Sequence, residues 1–118
     1  MPYIKNLVPE TIANLSGLVQ TAPGQIVSKT LAQNEALSLT LFAFAKGEEI
    51  SSHVSDGDAM VNVLEGTGRF TVDGHDYLLK SGESLVMPAG KPHAVYAEED
   101  FKMFLVVVMP VTTKKLDK

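Results

Sequence analysis

The feature that most constrains this fold is a series of short β-like segments separated by turns that contain Gly or Pro. The clearest segment covers residues 37–45 and reads LSLTLFAFA, with leucines alternating with polar residues from Leu37 to Leu41. Such alternation indicates a strand with one apolar face, because successive side chains in a strand point to opposite sides. Many short strands and no long amphipathic helix predict an all-β sandwich or barrel.

The Asp73-Gly74 pair gives the strongest local signal for a hairpin, because both residues can take the positive φ that a type I′ turn requires. A tight turn of this kind fixes the register of the two flanking strands. We therefore predict that Val72 lies opposite His75. Further β-like runs begin at residue 26 and cover residues 59–64, 69–72, 75–79, 84–87, 93–97 and 101–109.

The chain length bounds the domain organisation. With 118 residues, the protein fits one domain with one core, which we assign to residues 1–118. Near the start, residues 9–15 have the pattern of a short helical turn that ends at Ser16-Gly17. We expect this N-terminal turn to pack against the domain as an arm or a lid.

Composition excludes several classes of function. Ten basic and 14 acidic residues give a net charge of −4, and the basic residues are scattered apart from Lys114 and Lys115, so we expect no nucleic-acid partner. The absence of Cys removes disulfides, thiolate metal sites and Cys nucleophiles. The longest apolar run, residues 103–111, is far shorter than the roughly 20 residues of a membrane span, and the first residues lack a signal-peptide pattern. We therefore expect no membrane association and a cytoplasmic location.

Three histidines, His53, His75 and His93, are the candidates for imidazole chemistry. His53 follows a polar strand entry, and His93 follows the stiff Pro- and Gly-containing turn at residues 88–92, so both lie at the mouths of predicted strands. His75 lies beside the hairpin tip, where a solvated side chain is expected. We predict that His75 is not part of a functional site.

Two blocks of the sequence resemble the paired motifs of the cupin superfamily, G-x5-H-x-H-x3-4-E-x6-G and G-x5-P-x-G-x2-H-x3-N. The first block, residues 47–66, carries Gly47, His53, Ser55, Ala59 and Gly66 at the motif positions. The second block, residues 82–97, carries Gly82, Pro88, Gly90, His93 and Ala97. The resemblance implies a small antiparallel jelly-roll barrel, a double-stranded β-helix, whose central cavity carries the function.

The departures from the motifs bear directly on the site. In the family, two His and the Glu of the first motif and the His of the second converge on one divalent metal, whereas here Ser55 replaces one His and Ala59 replaces the Glu. The resemblance therefore implies that His53, Ser55 and His93 bind a small polar molecule. It further implies that His53 and His93 hold a divalent metal, Zn, Ni, Fe or Mn, only weakly. Oxygenase or isomerase chemistry of four-ligand cupins does not carry over.

Other residues near the motif positions are candidates for the missing ligands. Asp58 precedes Ala59 by one position, so it faces away from the cavity unless the bend at residues 56–58 re-aims it. Met60 and Met87 carry thioethers, which are soft ligands suited to Cu(I), but Met also fills irregular apolar space. We interpret both methionines as packing residues.

Three interpretations of function remain open on the residues alone. The first is a binding protein for a small molecule. The second is an enzyme of the isomerase, lyase or dioxygenase type in which His53 or His93 acts as a base or metal ligand, and a carboxylate near the pair would favour it. The third is a structural role, in which the two histidines bond to each other, to Ser55 or to water. A regulatory role is disfavoured, because the nine residues after Met109 are too few for a helix-turn-helix.

Two further predictions concern geometry and assembly. We expect His53 and His93 to lie within a few ångström of each other, although 40 positions separate them in the sequence. We also expect a homodimer, because residues 103–111 are apolar at successive positions and the interior of one barrel can bury only one face of a strand. Either a partner subunit or the N-terminal arm, residues 7–27, must cover the other face.

Overall fold

The structure, a computed structural model, describes residues 3–110 and consists of two antiparallel sheets around one apolar core. The strands are β1 (Ile26–Gln33), β2 (Leu37–Phe44), β3 (Glu49–His53), β4 (Asp58–Glu65), β5 (Thr67–Val72), β6 (His75–Lys80), β7 (Ser84–Met87), β8 (His93–Ala97) and β9 (Phe101–Val108). One sheet has the order β1-β2-β9-β4-β7, and the other has the order β3-β8-β5-β6. Strands distant in sequence are thus neighbours in each sheet, which confirms the predicted jelly-roll fold.

The predicted hairpin is confirmed in both its turn and its register. Val72 pairs with His75 across β5 and β6. Asp73 has a φ of 49° and Gly74 a φ of 84°, the left-handed conformations that a type I′ turn requires. Because the turn is tight, it fixes the register of all the other residue pairs in the hairpin. It thereby places Phe70, which is buried in the core.

Three buried phenylalanines form the centre of the barrel. The Phe44 and Phe101 rings stack with centroids 4.7 Å apart, and the Phe70 ring meets Phe101 edge-on at 6.0 Å. Burying each such ring contributes about 1.5–3 kcal/mol to stability. Gly68 lies beneath this cluster, and a Cβ at that position would come within 2.8 Å of the Phe101 ring. The barrel therefore closes around the rings only with glycine at position 68.

The leucine face predicted for residues 37–45 turns away from the barrel interior. Leu41 and Ala43 are fully buried in a second cluster with Val19 and Leu31, outside the barrel. Phe44, on the opposite face of β2, belongs to the interior core instead. Both faces of β2 are therefore covered at its Phe44 end, one by the barrel core and one by the N-terminal segment.

The predicted N-terminal helical turn is present, but it lies after the predicted residues 9–15 and shares only Leu15 with them. A short 3-10 helix spans Leu15–Leu18, and the Asn14 side chain caps it by accepting a hydrogen bond from the Ser16 amide at 3.2 Å. Glu10 has a φ of 59°, which a right-handed helix cannot contain, so no helix forms there. The segment still packs as an arm, because the Lys102 ammonium donates a hydrogen bond of 2.7 Å to the carbonyl oxygen of Ser16.

The outer face of β9 is covered over only part of its length. Phe104 packs with the N-terminal segment against the second cluster. Farther along the sheet, Met60, Val86 and Val108 are 42%, 53% and 56% exposed. The end of the predicted apolar run, Val111, lies outside the described residues, as does the Lys pair at residues 114–115. Within residues 3–110, no helix has the length and apolar character to cross a lipid bilayer.

Candidate functional site

A cavity of about 290 Å³ lies inside the barrel and is lined almost entirely by apolar side chains. Its lining residues are Phe42, Ile50, His53, Val54, Ser55, Ala59, Met87, His93, Val95, Met103, Leu105 and Val107. Among these twelve, only His53, Ser55 and His93 carry polar side chains. The three residues that the sequence predicted for the site therefore supply all the polar side chains of the lining.

The two histidines face each other across neighbouring strands. His53 ends β3, His93 begins β8, and the two residues are direct Cα partners in the sheet. Their ring centroids are 4.2 Å apart and the ring planes meet at 66°, an edge-to-face arrangement. The predicted proximity of His53 and His93 is confirmed.

Backbone carbonyls determine which nitrogen of each imidazole ring carries a hydrogen. Nδ1 of His53 lies 3.0 Å from the carbonyl oxygen of Ser51, and Nδ1 of His93 lies 3.2 Å from that of Lys91. Because a carbonyl can only accept, each Nδ1 must carry the hydrogen and donate it. In the neutral ring, Nε2 is then left with its lone pair, which is the state needed to bind a metal or to accept a hydrogen bond from a ligand.

His93 is the buried member of the pair, with 4% of its surface exposed, whereas His53 is exposed. Burial lowers the pKa of His93 below its ordinary value; the hydrogen bond to Lys91 opposes the shift and the nearby His53 ring adds to it. His93 is therefore neutral at pH 7.

The loop after β3 holds Ser55 beside the histidines. The Ser55 hydroxyl accepts a hydrogen bond of 3.1 Å from the amide of Gly57, and the Ser55 carbonyl accepts one of 3.0 Å from the amide of Gly90. Gly57 is buried, and a Cβ there would lie 2.5 Å from the carbonyl oxygen of Val108. The two motif segments are thus tied together at the cavity, and the Ser55 hydroxyl hydrogen remains available for a ligand.

The structure also decides the roles of the other candidates. The Asp58 carboxylate accepts a hydrogen bond of 2.8 Å from the amide of Ala89 and does not line the cavity, as strand alternation predicted. Met87 is buried in the core, but Met60 lies exposed on the outer face, so its interpretation as a packing residue is wrong. His75 is exposed on the hairpin and outside the cavity, as predicted.

The sequence motifs predict apolar residues near the histidines but do not identify the strand β9 as part of the lining. Met103, Leu105 and Val107 alternate along β9 and point into the cavity. Because residues between them are also apolar, the period-two signal of this strand was hidden. The sheet register shows which face of β9 lines the cavity, because Val107 is the Cα partner of Ala59, a motif position.

Comparison with known proteins identifies the family. A family model described as "Cupin domain" matches residues 40–109, which contain both motif blocks and all the histidines. The chain belongs to the cupin family. It is similar over most of its length to a conserved protein of unknown function from Streptococcus pyogenes, with 44% identity, 95% of this chain and 98% of that chain covered, and a TM-score of 0.92.

Other solved structures extend the comparison. A cupin superfamily protein from Desulfitobacterium hafniense is 32% identical, covers 91% of this chain and 98% of its own, and has a TM-score of 0.86. A salicylate 1,2-dioxygenase from Pseudoaminobacter salicylatoxidans is 22% identical over 74% of this chain and 25% of that chain, with a TM-score of 0.66. At that identity, the likeness to the dioxygenase shows the fold alone.

The donor set of this cupin does not complete a metal shell of the four-ligand kind. No group of three or more His, Cys, Asp or Glu residues within residues 3–110 is placed to hold a metal ion. Ala59, at the position of the motif Glu, is 2% exposed and presents only a methyl group to the cavity. Two imidazoles and the Ser55 hydroxyl remain, so a four-coordinate divalent ion would need oxygen from water or from a ligand.

Proposed function

We propose that this cupin binds a small molecule in its barrel, with a polar head group at His53, Ser55 and His93 and an apolar body along the rest of the cavity. The observation that carries the proposal is the composition of the lining, in which nine of the twelve residues are apolar. A wholly polar ligand would leave its other groups without hydrogen-bond partners against this wall. The proposed ligand is therefore an amphipathic small molecule and not the small polar molecule that the motifs implied.

The state of the histidines defines the head group. Each Nδ1 is engaged with a backbone carbonyl, so a neutral His53 or His93 offers an Nε2 lone pair to the ligand. Ser55 adds a hydroxyl that can donate. The pair therefore favours a head group that donates hydrogen bonds, such as an alcohol, an amine or a protonated acid, or one that brings a metal ion with it.

In this proposal a divalent metal is secondary to the small molecule. Zn, Ni, Fe or Mn would contact His53 and His93 and would rely on ligand oxygens for the rest of its shell. Binding should consequently be weak in the absence of a ligand. An acid–base enzyme is less well supported, because no carboxylate is among the residues that line the cavity.

Ligand-observed NMR with a library of small amphipathic fragments tests the binding proposal. We expect hits that combine an apolar body with a donor head group, and we expect His53→Ala and His93→Ala each to abolish their binding. His75→Ala is the matched control, because its imidazole is exposed and outside the cavity. Hits that bind both cavity variants as well as the unmodified protein would show that the site is elsewhere.

We further propose that two copies of the chain associate through the uncovered part of the sheet β9-β4-β7. The support is the exposed apolar group Met60, Val86 and Val108, which the N-terminal arm does not cover. Isolated exposed apolar residues are common, but these three lie on adjacent strands of one sheet. Sedimentation velocity at micromolar concentration tests the association, and a species near the monomer mass of 12.7 kDa would contradict it.

A further inference from the structure

A methionine sulfur shares the cavity with the histidine pair. Met87 is 2% exposed, and it lines the same cavity as His53 and His93. Met60, the other methionine near the motifs, is 42% exposed and is not among the lining residues. Of these two methionines only Met87 lies in the cavity; Met103 on β9 also lines it, but nearer its other end.

The sheet register places Met87 at the gap left by the missing carboxylate. Met87 on β7 is the direct Cα partner of Ala59 on β4. Directly opposed residues in an antiparallel pair share one face, with Cβ atoms about 4.5–5.5 Å apart. Because Ala59 carries only a methyl group, the space that a longer side chain would fill is open to neighbouring side chains. Met87 thus stands beside the position from which the Glu of a four-ligand cupin reaches its metal.

The chain also connects Met87 closely to the histidines. Only the turn at residues 88–92 separates Met87 from His93, and the amide of Gly90 in that turn is bonded to the Ser55 carbonyl. A second hydrogen bond joins the amide of Ala89 to Asp58. These bonds fix the turn against the loop that follows His53, so all three potential donors belong to one end of the barrel.

The chemistry of these donors differs from that of a divalent site. Thioether sulfur is a soft ligand that selects Cu(I), imidazole also binds copper, and hard divalent ions prefer carboxylates, which the lining lacks. The apolar remainder of the cavity suits an ion of low charge better than one of charge two. We propose that His53, His93 and Met87 form a site for a soft monovalent cation, Cu(I), in the cavity of this protein. The proposal rests on the histidine pair of the proposed function and adds the sulfur ligand.

Silver(I) is a suitable probe, because it resembles Cu(I) in charge and softness and does not change oxidation state during the experiment. Protein labelled with ¹³C at the methionine methyl groups should show a shift of the Met87 signal when Ag(I) is added. The exposed Met60 signal should remain unchanged at one equivalent. A shift at Met60 in place of Met87 would overturn the proposal.

Affinity measurements with variants provide the second test. Met87→Leu removes the sulfur while nearly conserving side-chain volume, so the fold should persist. We expect this change to weaken Ag(I) and Cu(I) binding by about tenfold, the effect of losing a donor that contributes about 1.4 kcal/mol. Zn(II) binding, which does not use the thioether, should stay within twofold. Cu(I) affinity would be measured under anaerobic conditions by competition with bicinchoninate.

The control is Met103→Leu, the same change in the same cavity wall. Met103 is the Cα partner of Val63, four residues along β4 from Ala59, and is thus farther from the histidine end. We expect Met103→Leu to leave Ag(I) affinity unchanged. An equal loss for both variants, or no loss for Met87→Leu, would show that the Met87 thioether is not a ligand. If His93→Ala still abolished fragment binding in that case, the proposed function would stand and only the soft-metal site would fail.

Discussion

Restoring the missing carboxylate by Ala59→Glu is the sharpest test of how this cupin differs from four-ligand cupins. Ala59 is 2% exposed and lines a cavity of about 290 Å³, so a longer side chain at this position enters the cavity. A carboxylate there, with His53 and His93, completes the two-His-one-carboxylate set that divalent metals bind well. The substitution should therefore strengthen Zn(II) binding.

The expected magnitude follows from two opposing terms. A carboxylate and a unit positive charge 4 Å apart attract by about 4 kcal/mol at an effective dielectric of about 20, and a divalent ion is attracted more strongly. Desolvating the carboxylate in this apolar cavity costs several kcal/mol and offsets much of the gain. We expect a net gain of about 1.4–2.8 kcal/mol, which is a 10- to 100-fold increase in Zn(II) affinity.

The same charge should lower stability when no metal is present. An unpaired carboxylate buried among apolar side chains is unfavourable, so the free energy of unfolding of Ala59→Glu should fall by about 3–5 kcal/mol in chelator. Excess Zn(II) should restore about 2.7 kcal/mol of this loss at a concentration 100 times the dissociation constant. Urea denaturation with and without Zn(II) measures both effects.

Ala59→Gln is the matched control, because it fills the same space without a charge. Its Zn(II) affinity should remain close to that of the unmodified protein. Equal affinities for the Glu and Gln variants would refute the reasoning, since the added side chain would then not reach the metal held by the histidines. The Glu variant should also lose preference for Ag(I) over Zn(II).

Three other predictions concern pH, the N-terminal arm and assembly. Because burial lowers the pKa of His93 in the folded protein, the unfolded chain takes up this proton first as pH falls below about 6.5, so stability should decline there. Urea denaturation at pH 7.5 and 5.5 should show this decline, and His93→Gln should reduce it. Lys102→Met removes the buried ammonium that holds the arm, so the free energy of unfolding measured by urea denaturation should fall by about 1.5–3 kcal/mol. Lys91→Met is the control: it removes an exposed ion pair, and the free energy of unfolding should fall by less than about 1 kcal/mol. Val86→Lys should convert the proposed dimer to a monomer in sedimentation velocity, and an unchanged sedimentation coefficient would place the contact elsewhere.

Local signals in the sequence determined much of the architecture. The Asp73-Gly74 turn specified its own hairpin because the required backbone conformation depends on those two residues alone. The spacing of the motifs likewise predicted the meeting of His53 and His93, which the sheet register confirms. Alternation predicted that Asp58 faces away from the cavity, since adjacent residues of a strand point to opposite sides.

Only the tertiary structure decided which apolar surfaces meet. Both faces of β9 carry apolar side chains, as does the second half of β2, so alternation does not distinguish the cavity side from the side that the arm covers. Met60 and Met87 are both strand methionines: alternation about Ala59 already puts Met60 on the outer face, whereas only the register places Met87 opposite Ala59. The physical reason is that the hydrophobic effect is non-directional: it favours the burial of apolar side chains without specifying which surface they pack against. The direction comes from pairing between strands that are distant in the sequence, and this pairing gives the cavity its largely apolar wall and brings Met87 into the same lining as the histidines.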